Sequence, residues 1–265
     1  MRLYKKGDKK LLNAWAFYDW ANSVYPLVIS TAIFPIYFKS ITKGEPVDFL
    51  WLNSIENDAF IGYVSSFTFI ILAVISPILS GIADHTGYKK LFMQIFCYIG
   101  AISCILLYTF DLDNFDLGMI YYFFAVVGFW GSLVFYNSYL PDIANVDEQD
   151  ITSAKGYSLG YLGRIILLIF CLLLTQFPDY FNIDGKTQAV KISFVLVGIW
   201  WLVFSQYSFY YLPGKSYYNI QKTNLYSSKT LLSGFNQLID VLNQLKSNKK
   251  LRVFLLSFFI FTIPT

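Results

Sequence analysis

The chain has 265 residues, of which 56% are hydrophobic, 20% are aromatic and only 14% are charged. Soluble domains carry about a quarter charged residues, so this composition excludes an ordinary soluble protein and indicates one that spans a membrane. The net charge of +3 is small, and no basic run alternates with aromatic residues on a polar surface, so we expect no nucleic acid partner.

Histidine and cysteine are too few and too scattered for most enzyme or metal sites. His85 is the single histidine, and Cys97, Cys104 and Cys171 lie in apolar stretches without the paired spacing of a metal site. No phosphate-binding Gly-x-x-x-x-Gly-Lys-Ser/Thr sequence is present. The sequence therefore predicts a protein that is not an enzyme and that uses no metal, ATP or other cofactor.

Six windows of the sequence provide the roughly 20 apolar residues that a transmembrane helix needs. We call them the first to the sixth span: residues 14–38, 59–83, 91–110, 117–140, 157–177 and 190–212. We therefore predict an all-α membrane protein in which residues 1–212 form a six-helix transmembrane domain in the lipid bilayer. The first span is too long for a signal peptide and no small-residue cleavage site follows it.

The distribution of Lys and Arg predicts the orientation of these spans. Fifteen such residues lie before the first span, after the second, before the fifth or after the sixth, whereas four lie in the opposite loops, which are rich in Asp and Glu. We expect the N-terminus to be cytoplasmic, and the abundance of Phe, Tyr, Lys and Asn favours a bacterial inner membrane. The loop at residues 142–155 is the exception, because it is mostly acidic although alternation makes it cytoplasmic.

The first span carries an acidic residue, Asp19, with Asn22, Ser23 and Ser30 at offsets of three, four and eleven residues. In a continuous α-helix these offsets share one face, and Pro26 leaves the carbonyl of Asn22 without its usual partner. Such a stripe is costly in lipid, so we expect it to face a cavity or the bundle interior. The alternative is that Asp19 lies at the membrane interface and pairs with headgroups or a nearby Lys.

The fourth and fifth spans add two polar candidates. The polar groups of Tyr136, Asn137 and Tyr139 can line the same cavity as Asp19. Because tyrosines near a membrane boundary are also typical of an aromatic belt, Asn137 is the preferred candidate. Arg164 lies about a third to halfway along the fifth span, where a charge costs at least ~2.5 kcal/mol without a partner or water. Its predicted partner is Asp19, in a pair that has either a purely structural role or a role in transport.

The fifth span also contains three small residues, Gly156, Gly160 and Gly163, spaced by four and three residues. This spacing places them on one helical face. Small residues let two membrane helices approach closely, so we predict a packing role for them.

After the sixth span, residues 213–250 form a polar connection. Its apolar residues between Leu231 and Leu245 recur at helical spacing, which predicts an amphipathic helix on the cytoplasmic face. The apolar pattern restarts at Leu251, but the residues up to Thr265 would rise only about 22 Å as a helix. We interpret residues 251–265 as the truncated start of a C-terminal transmembrane half, or as a broken seventh helix. Six spans, a long linker and a new span are typical of a transporter with two six-helix halves.

Several strings of residues resemble a known family. The loop from Ser80 to Lys90 is similar to the signature between the second and third helices of the major facilitator superfamily, with Asp84, Gly87 and Lys89 at matching positions. Within that superfamily, the chain closely resembles the autophagy-related vacuolar effluxer-like family at residues 18–23, 31–38, 135–144 and 156–163.

The resemblance implies the N-terminal half of a twelve-helix fold with a central path that opens alternately to the two sides of the membrane. The first and fourth spans would line this path. Asp19, Asn22, Ser23 and Asn137 would then bind the solute or a proton, with Arg164 as a charge partner.

The same resemblance implies a cytoplasmic gate. Asp84, Gly87, Lys89 and Lys90 would form it, with Asp84 near the start of a helix from the missing C-terminal half. From the residues alone, the same loop is a short rigid hairpin, in which the acid caps a neighbouring helix and the two lysines anchor at the membrane surface.

Fungal members of this family are linked to the export of amino acids from the vacuole, so the resemblance implies a vacuolar membrane if the chain is eukaryotic. We therefore expect a secondary active transporter for a small solute, with an amino acid as the first candidate and a proton gradient as a candidate energy source through Asp19. The alternative is a non-transporting membrane scaffold or receptor-like protein that uses the same fold.

Overall fold

A computed structural model describes residues 5–214 and, beyond them, residues 239, 243 and 245–262. Within this part of the chain, six helices are long and apolar enough to cross a membrane. They are Lys9–Thr42, Ala59–Asp84, Lys89–Thr109, Phe115–Ile143, Val146–Gln176 and Gly185–Tyr211. The six predicted spans and the all-α membrane fold are thus confirmed.

The first of these helices is composite, and a short hairpin separates it from the second. It comprises α1 (Lys9–Asn22), a π-helical segment (Tyr25–Ile33) and α2 (Phe34–Thr42), and the hairpin consists of β1 (Val47–Phe49) and β2 (Leu52–Ile55). The remaining helices are α3 (Asn57–Thr86), α4 (Lys89–Leu106), α5 (Phe115–Ile143), α6 (Val146–Gln176), α7 (Gly185–Tyr211) and α8 (Lys249–Thr262). Short 3-10 turns lie at Leu107–Thr109 and Pro178–Phe181.

The prediction of a continuous α-helix through the first span is wrong between Tyr25 and Ile33, where π-helical hydrogen bonding replaces it. Pro26 accounts for the change, because it has no N–H to donate to the carbonyl of Asn22. The hydroxyl of Thr31 donates to the Pro26 carbonyl, five residues earlier, at 2.8 Å. The α-helical offset that aligned Ser30 with Asp19 therefore does not apply, and Ser30 lies beside Tyr122 of α5.

The predicted acidic loop at residues 142–155 is also wrong, because α6 already begins at Val146. Its start is fixed by a capping box. The backbone N–H of Asn145 donates to Glu148 Oε2 at 3.0 Å, and the Asn145 side chain accepts a hydrogen bond from the backbone N–H of Glu148. Asp147 and Glu148 in the first turn also favour a helix start, since they face the positive end of the helix dipole.

The core lies around α1, which packs against α5, α6 and α7. Its largest fully buried side chains are aromatic, among them Trp201, Tyr18 and Tyr25. Glycines bring α4 and α5 close together, since a Cβ atom added to Gly100 would lie 3.2 Å from the Cα atom of Gly128. The predicted amphipathic helix of the linker lies outside the described residues, apart from residues 239, 243 and 245.

Candidate functional site

Asp19 lies half-buried on α1 and faces α5 and α6. Its Oδ2 atom accepts a hydrogen bond from the hydroxyl of Tyr136 at 2.9 Å. Trp15, one helical turn before Asp19, stacks on the Tyr136 ring at a centroid distance of 4.3 Å. The Trp15 indole also donates to the backbone carbonyl of Tyr136 at 2.8 Å. Trp15 and Asp19 of α1 therefore both contact Tyr136, and the Tyr136 hydroxyl points at the Asp19 carboxylate.

The glycines of α6 provide the space for this arrangement. A Cβ atom at Gly156 would lie 2.7 Å from Asp19 Oδ2 and 3.1 Å from the Tyr136 hydroxyl. A Cβ atom at Gly160 would lie 2.5 Å from Ser23 Oγ, and one at Gly163 would lie 2.9 Å from the backbone carbonyl of Trp20. The predicted packing role of these glycines is confirmed, and Gly156 in addition leaves room for the Asp19 carboxylate.

Ser23 and Asn22 lie next to each other but differ in accessibility. Ser23 is partly exposed, whereas only 1% of Asn22 is exposed and its Nδ2 atom is buried without a partner among the described residues. The Ser23 hydroxyl lies 3.5 Å from Asn22 Oδ1, at the limit for a hydrogen bond. A solute in contact with α1 would therefore meet Ser23 first, and Asn22 lies behind it in this conformation.

Arg164 does not form the direct ion pair with Asp19 that the sequence predicts, within residues 5–214. Its guanidinium carbon lies 4.8 Å from the ring centroid of Tyr161 and 5.6 Å from that of Tyr157. Arg164 therefore makes cation–π contacts with two rings of its own helix. A partly buried arginine on a membrane helix is thus stabilised by aromatic faces rather than by a carboxylate.

Asn137 is exposed on α5, directly after the buried Tyr136. Consecutive residues of a helix point about 100° apart, so the tyrosine can reach Asp19 while the amide lies at the surface of the described bundle. Tyr136 is the residue that contacts Asp19, although the sequence favours Asn137 over it as the candidate on this helix. A tyrosine near a membrane boundary usually belongs to the aromatic belt, and no feature of the local sequence distinguishes this one.

At the other predicted site, Lys89 joins two carboxylates. Its Nζ atom lies 2.9 Å from Asp84 Oδ1 and 2.9 Å from Asp142 Oδ2, and it also donates to the carbonyl of Ser138 at 3.3 Å. Gly87 makes the turn between α3 and α4 with a φ angle of 74°, a conformation that favours glycine. Lys89 therefore ties this turn to the end of α5, through a partner, Asp142, that the sequence did not indicate.

Lys90, next to Lys89 in α4, contacts the C-terminal end of α7. Its Nζ atom donates to the carbonyl of Leu212, the residue directly after α7, at 3.1 Å. The Tyr139 hydroxyl of α5 donates to the next carbonyl, that of Pro213, at 2.8 Å. Cations and donors at these carbonyls offset the negative end of the α7 dipole.

Replacing Lys89 with Met is expected to destabilise the protein by about 1–3 kcal/mol, because Asp84 and Asp142 lose a shared charge-assisted partner. The Lys89 side chain is only 10% exposed, whereas the Asp84 and Asp142 side chains are 45% and 34% exposed, so water compensates part of the loss. Thermal unfolding in detergent would measure the loss. Lys9→Met, at an exposed lysine, is the matched control, and an equally small effect in both variants would contradict the structural role.

Replacing Tyr136 with Phe tests the hydrogen bond to Asp19 alone. The variant keeps the stacked ring and the backbone acceptor for Trp15, so we expect it to lower the free energy of unfolding by about 1.5–3 kcal/mol, the effect of losing one hydrogen bond to a charged group. Thermal unfolding in detergent would measure the loss. Tyr121→Phe, about 22 Å away along the same helix, should behave as wild type, and equal stabilities of the two variants would contradict the prediction.

Comparisons with known proteins identify the family of this chain. A sequence profile of the family described as "Vacuole effluxer Atg22 like" matches residues 7–264. The chain is 29% identical to "Uncharacterized MFS-type transporter YxiO" of Bacillus subtilis, over 94% of this chain and 56% of the relative. It is 23% identical to "Autophagy-related protein 22" of Coccidioides immitis, over 75% of this chain and 47% of the relative.

The chain thus spans about half the length of these relatives. No solved structure matches it significantly. Because the family profile covers nearly the whole chain and the fold has the predicted six membrane helices, this multi-pass membrane protein belongs to the vacuole effluxer Atg22-like family of major facilitator-type transporters.

Proposed function

We propose that this chain is the N-terminal half of a secondary active transporter that moves a small solute, with an amino acid as the first candidate. The relatives support transport in general, since one is named as a major facilitator-type transporter and the family as an effluxer. The C-terminal half would supply the opposite wall of the path and would follow the linker at residues 213–250. The N-terminus would be cytoplasmic, as the distribution of Lys and Arg indicates.

The observation that carries the proposal is the Asp19 carboxylate, held by Tyr136 in a space that Gly156 leaves open. A half-buried acid on a membrane helix is costly, and ionisable residues in such positions are commonly functional. Asp19 would bind the amino group of the solute or carry a coupling proton. Ser23 and Asn137 would provide hydrogen bonds at the surface of the path, with Asn22 behind Ser23.

Arg164 would contribute the opposite charge. Its guanidinium carbon lies 4.8 Å and 5.6 Å from the centroids of two tyrosine rings, and the group carries five N–H donors. A solute carboxylate could accept from these donors while the solute amino group meets Asp19. The Lys89 network at the cytoplasmic ends of α3 and α5 would form part of the gate, and its contacts would change as the two halves move.

Counterflow in proteoliposomes tests this function. The full-length protein is reconstituted with unlabelled amino acids inside, and uptake of each radiolabelled amino acid from a panel is measured against protein-free liposomes. We expect transient accumulation of at least one amino acid without ATP. If the protein is folded and monodisperse but no member of the panel accumulates, amino acid transport is wrong and the scaffold alternative gains support.

A further inference from the structure

The hairpin between the first and second membrane helices presents an apolar tip. The tip consists of Leu50, Trp51 and Leu52, and their exposed fractions are 50%, 81% and 50%. Turns in water favour Gly, Asn, Asp and Ser, so three consecutive apolar residues at this position are unusual. An exposed tryptophan between two exposed leucines needs an apolar or amphipathic environment outside the described residues.

The conformation of the tip is fixed by specific contacts. Leu50 has a φ angle of 53°, a region that is unfavourable for a residue with a branched side chain. Its backbone N–H donates to Asp116 Oδ1 in the first turn of α5 at 3.2 Å, and Asp48 Oδ1 accepts from the backbone of Ser54 at 2.8 Å. These bonds hold the three side chains at the end of the hairpin.

The base of the hairpin is attached firmly to the membrane helices. Asn57 at the start of α3 donates to the Thr42 hydroxyl at the end of α2 at 2.6 Å and to the Glu45 carbonyl at 3.2 Å. Phe49 packs edge-on against Phe60 of α3 with centroids 5.3 Å apart. The base therefore lies at the end of two membrane helices, where hydrocarbon gives way to headgroups.

The hairpin leans over the side of α3 and α5 rather than pointing straight into water. Between them lies an apolar cavity of about 500 Å³, lined by Trp51, Phe60, Tyr63, Phe67, Met119 and Phe123, among others. Strands of three and four residues are roughly 10 to 13 Å long, and the headgroup layer is about 5 to 7 Å thick on each side. A leaning hairpin of this length keeps its tip within that layer.

The apolar surface continues from the tip along α3. Tyr63, Phe67, Ile70 and Val74 are all exposed and follow one helical face at intervals of four, three and four residues. This stripe runs down a helix that is long enough to cross the bilayer. The tip is thus the upper end of a continuous apolar surface.

We propose that the hairpin tip is a membrane anchor that inserts into the bilayer interface. The Trp51 indole lies among the lipid headgroups, and Leu50 and Leu52 contact the upper acyl chains. Tryptophan is enriched at this depth because its ring is apolar and its N–H needs a polar partner. The anchor depends on the membrane location of the chain and not on which solute is transported.

A fluorescent label tests the anchor in proteoliposomes of the full-length protein. Trp51→Cys is labelled with an environment-sensitive thiol probe, since the native residues Cys97, Cys104 and Cys171 are all buried. We expect quenching by lipids that carry a nitroxide near the headgroup, about twofold stronger than for the same probe at Asn53→Cys, an exposed polar position of the same hairpin.

Two other outcomes would overturn the proposal. Strong quenching by aqueous iodide with little quenching by the nitroxide lipids would place the tip in water. Protection from both quenchers would place it against protein, such as the C-terminal half or a second copy. Amino acid counterflow by the labelled variant is measured in parallel, so a failure of transport is distinguished from a failure of the anchor.

Discussion

Replacing Asp19, the proposed proton carrier, with Asn is expected to lower gradient-driven uptake by the full-length protein about tenfold or more, because an amide cannot bind and release a proton. Exchange of solute across the membrane should continue, since the amide keeps a hydrogen-bond acceptor for Tyr136 and nearly the same volume. Uptake driven by an imposed proton gradient and counterflow without a gradient, measured on the same proteoliposomes, separate the two effects.

Asp113→Asn is the matched control for this variant. Asp113 is an exposed carboxylate in the loop between α4 and α5, far along the chain from the site, and its removal should change neither assay. If Asp19→Asn accumulates solute as well as Asp113→Asn does, Asp19 has no part in coupling. If both gradient-driven uptake and counterflow are lost, Asp19 acts in solute binding instead.

Replacing Gly156 with Ala is expected to be harmful in spite of the small change. The new methyl group would lie 2.7 Å from Asp19 Oδ2 and 3.1 Å from the Tyr136 hydroxyl, so one of them must move. Overpacking of this kind costs about 1–3 kcal/mol, and the displaced hydrogen bond should lower uptake about tenfold. Thermal unfolding in detergent and counterflow measure the two effects.

Gly62→Ala provides a close control, because Gly62 is also a helical glycine in a membrane span. A Cβ atom there meets nothing within 4 Å, and Ala has the higher helix propensity. This variant should be at least as stable as wild type and fully active. Equal behaviour of Gly156→Ala and Gly62→Ala would show that the space beside Asp19 is not required.

The membrane helices could be predicted from the sequence because each needs a long apolar run, and such runs are unambiguous over about 20 residues. Their ends were harder to place. The start of α6 at Val146 carries a signal, since Asn145 followed by Glu148 is the pattern of a capping box. The acidic character of residues 142–155 led instead to the prediction of a loop.

Two other features carry weaker signals. Pro26 predicts one interrupted hydrogen bond in the first span. It does not predict that π-helical bonding extends to Ile33, because that extent depends on packing around the first span. The hairpin was missed because its strands have only three and four residues and its turn is apolar where turn residues are usually polar.

The composition of the site could be predicted only in part. Asp19 and the α6 glycines stand out because a charge or a row of small residues is conspicuous in an apolar helix. The partners could not be assigned, because pairing depends on how helices rotate against each other. Asp19 pairs with Tyr136 rather than with Arg164, and Lys89 is shared by Asp84 and Asp142.

The most direct test of a solute path along α1 and α5 is the accessibility of Asn137→Cys in the full-length protein. We expect a hydrophilic, membrane-impermeant thiol reagent to label this variant, and an amino acid that shows counterflow to slow the labelling. Val203→Cys, at an exposed apolar position of α7, should stay unlabelled in lipid. If Asn137→Cys is as unreactive as Val203→Cys, this surface does not line a solute path. The same conclusion follows if the amino acid does not change the labelling rate of Asn137→Cys.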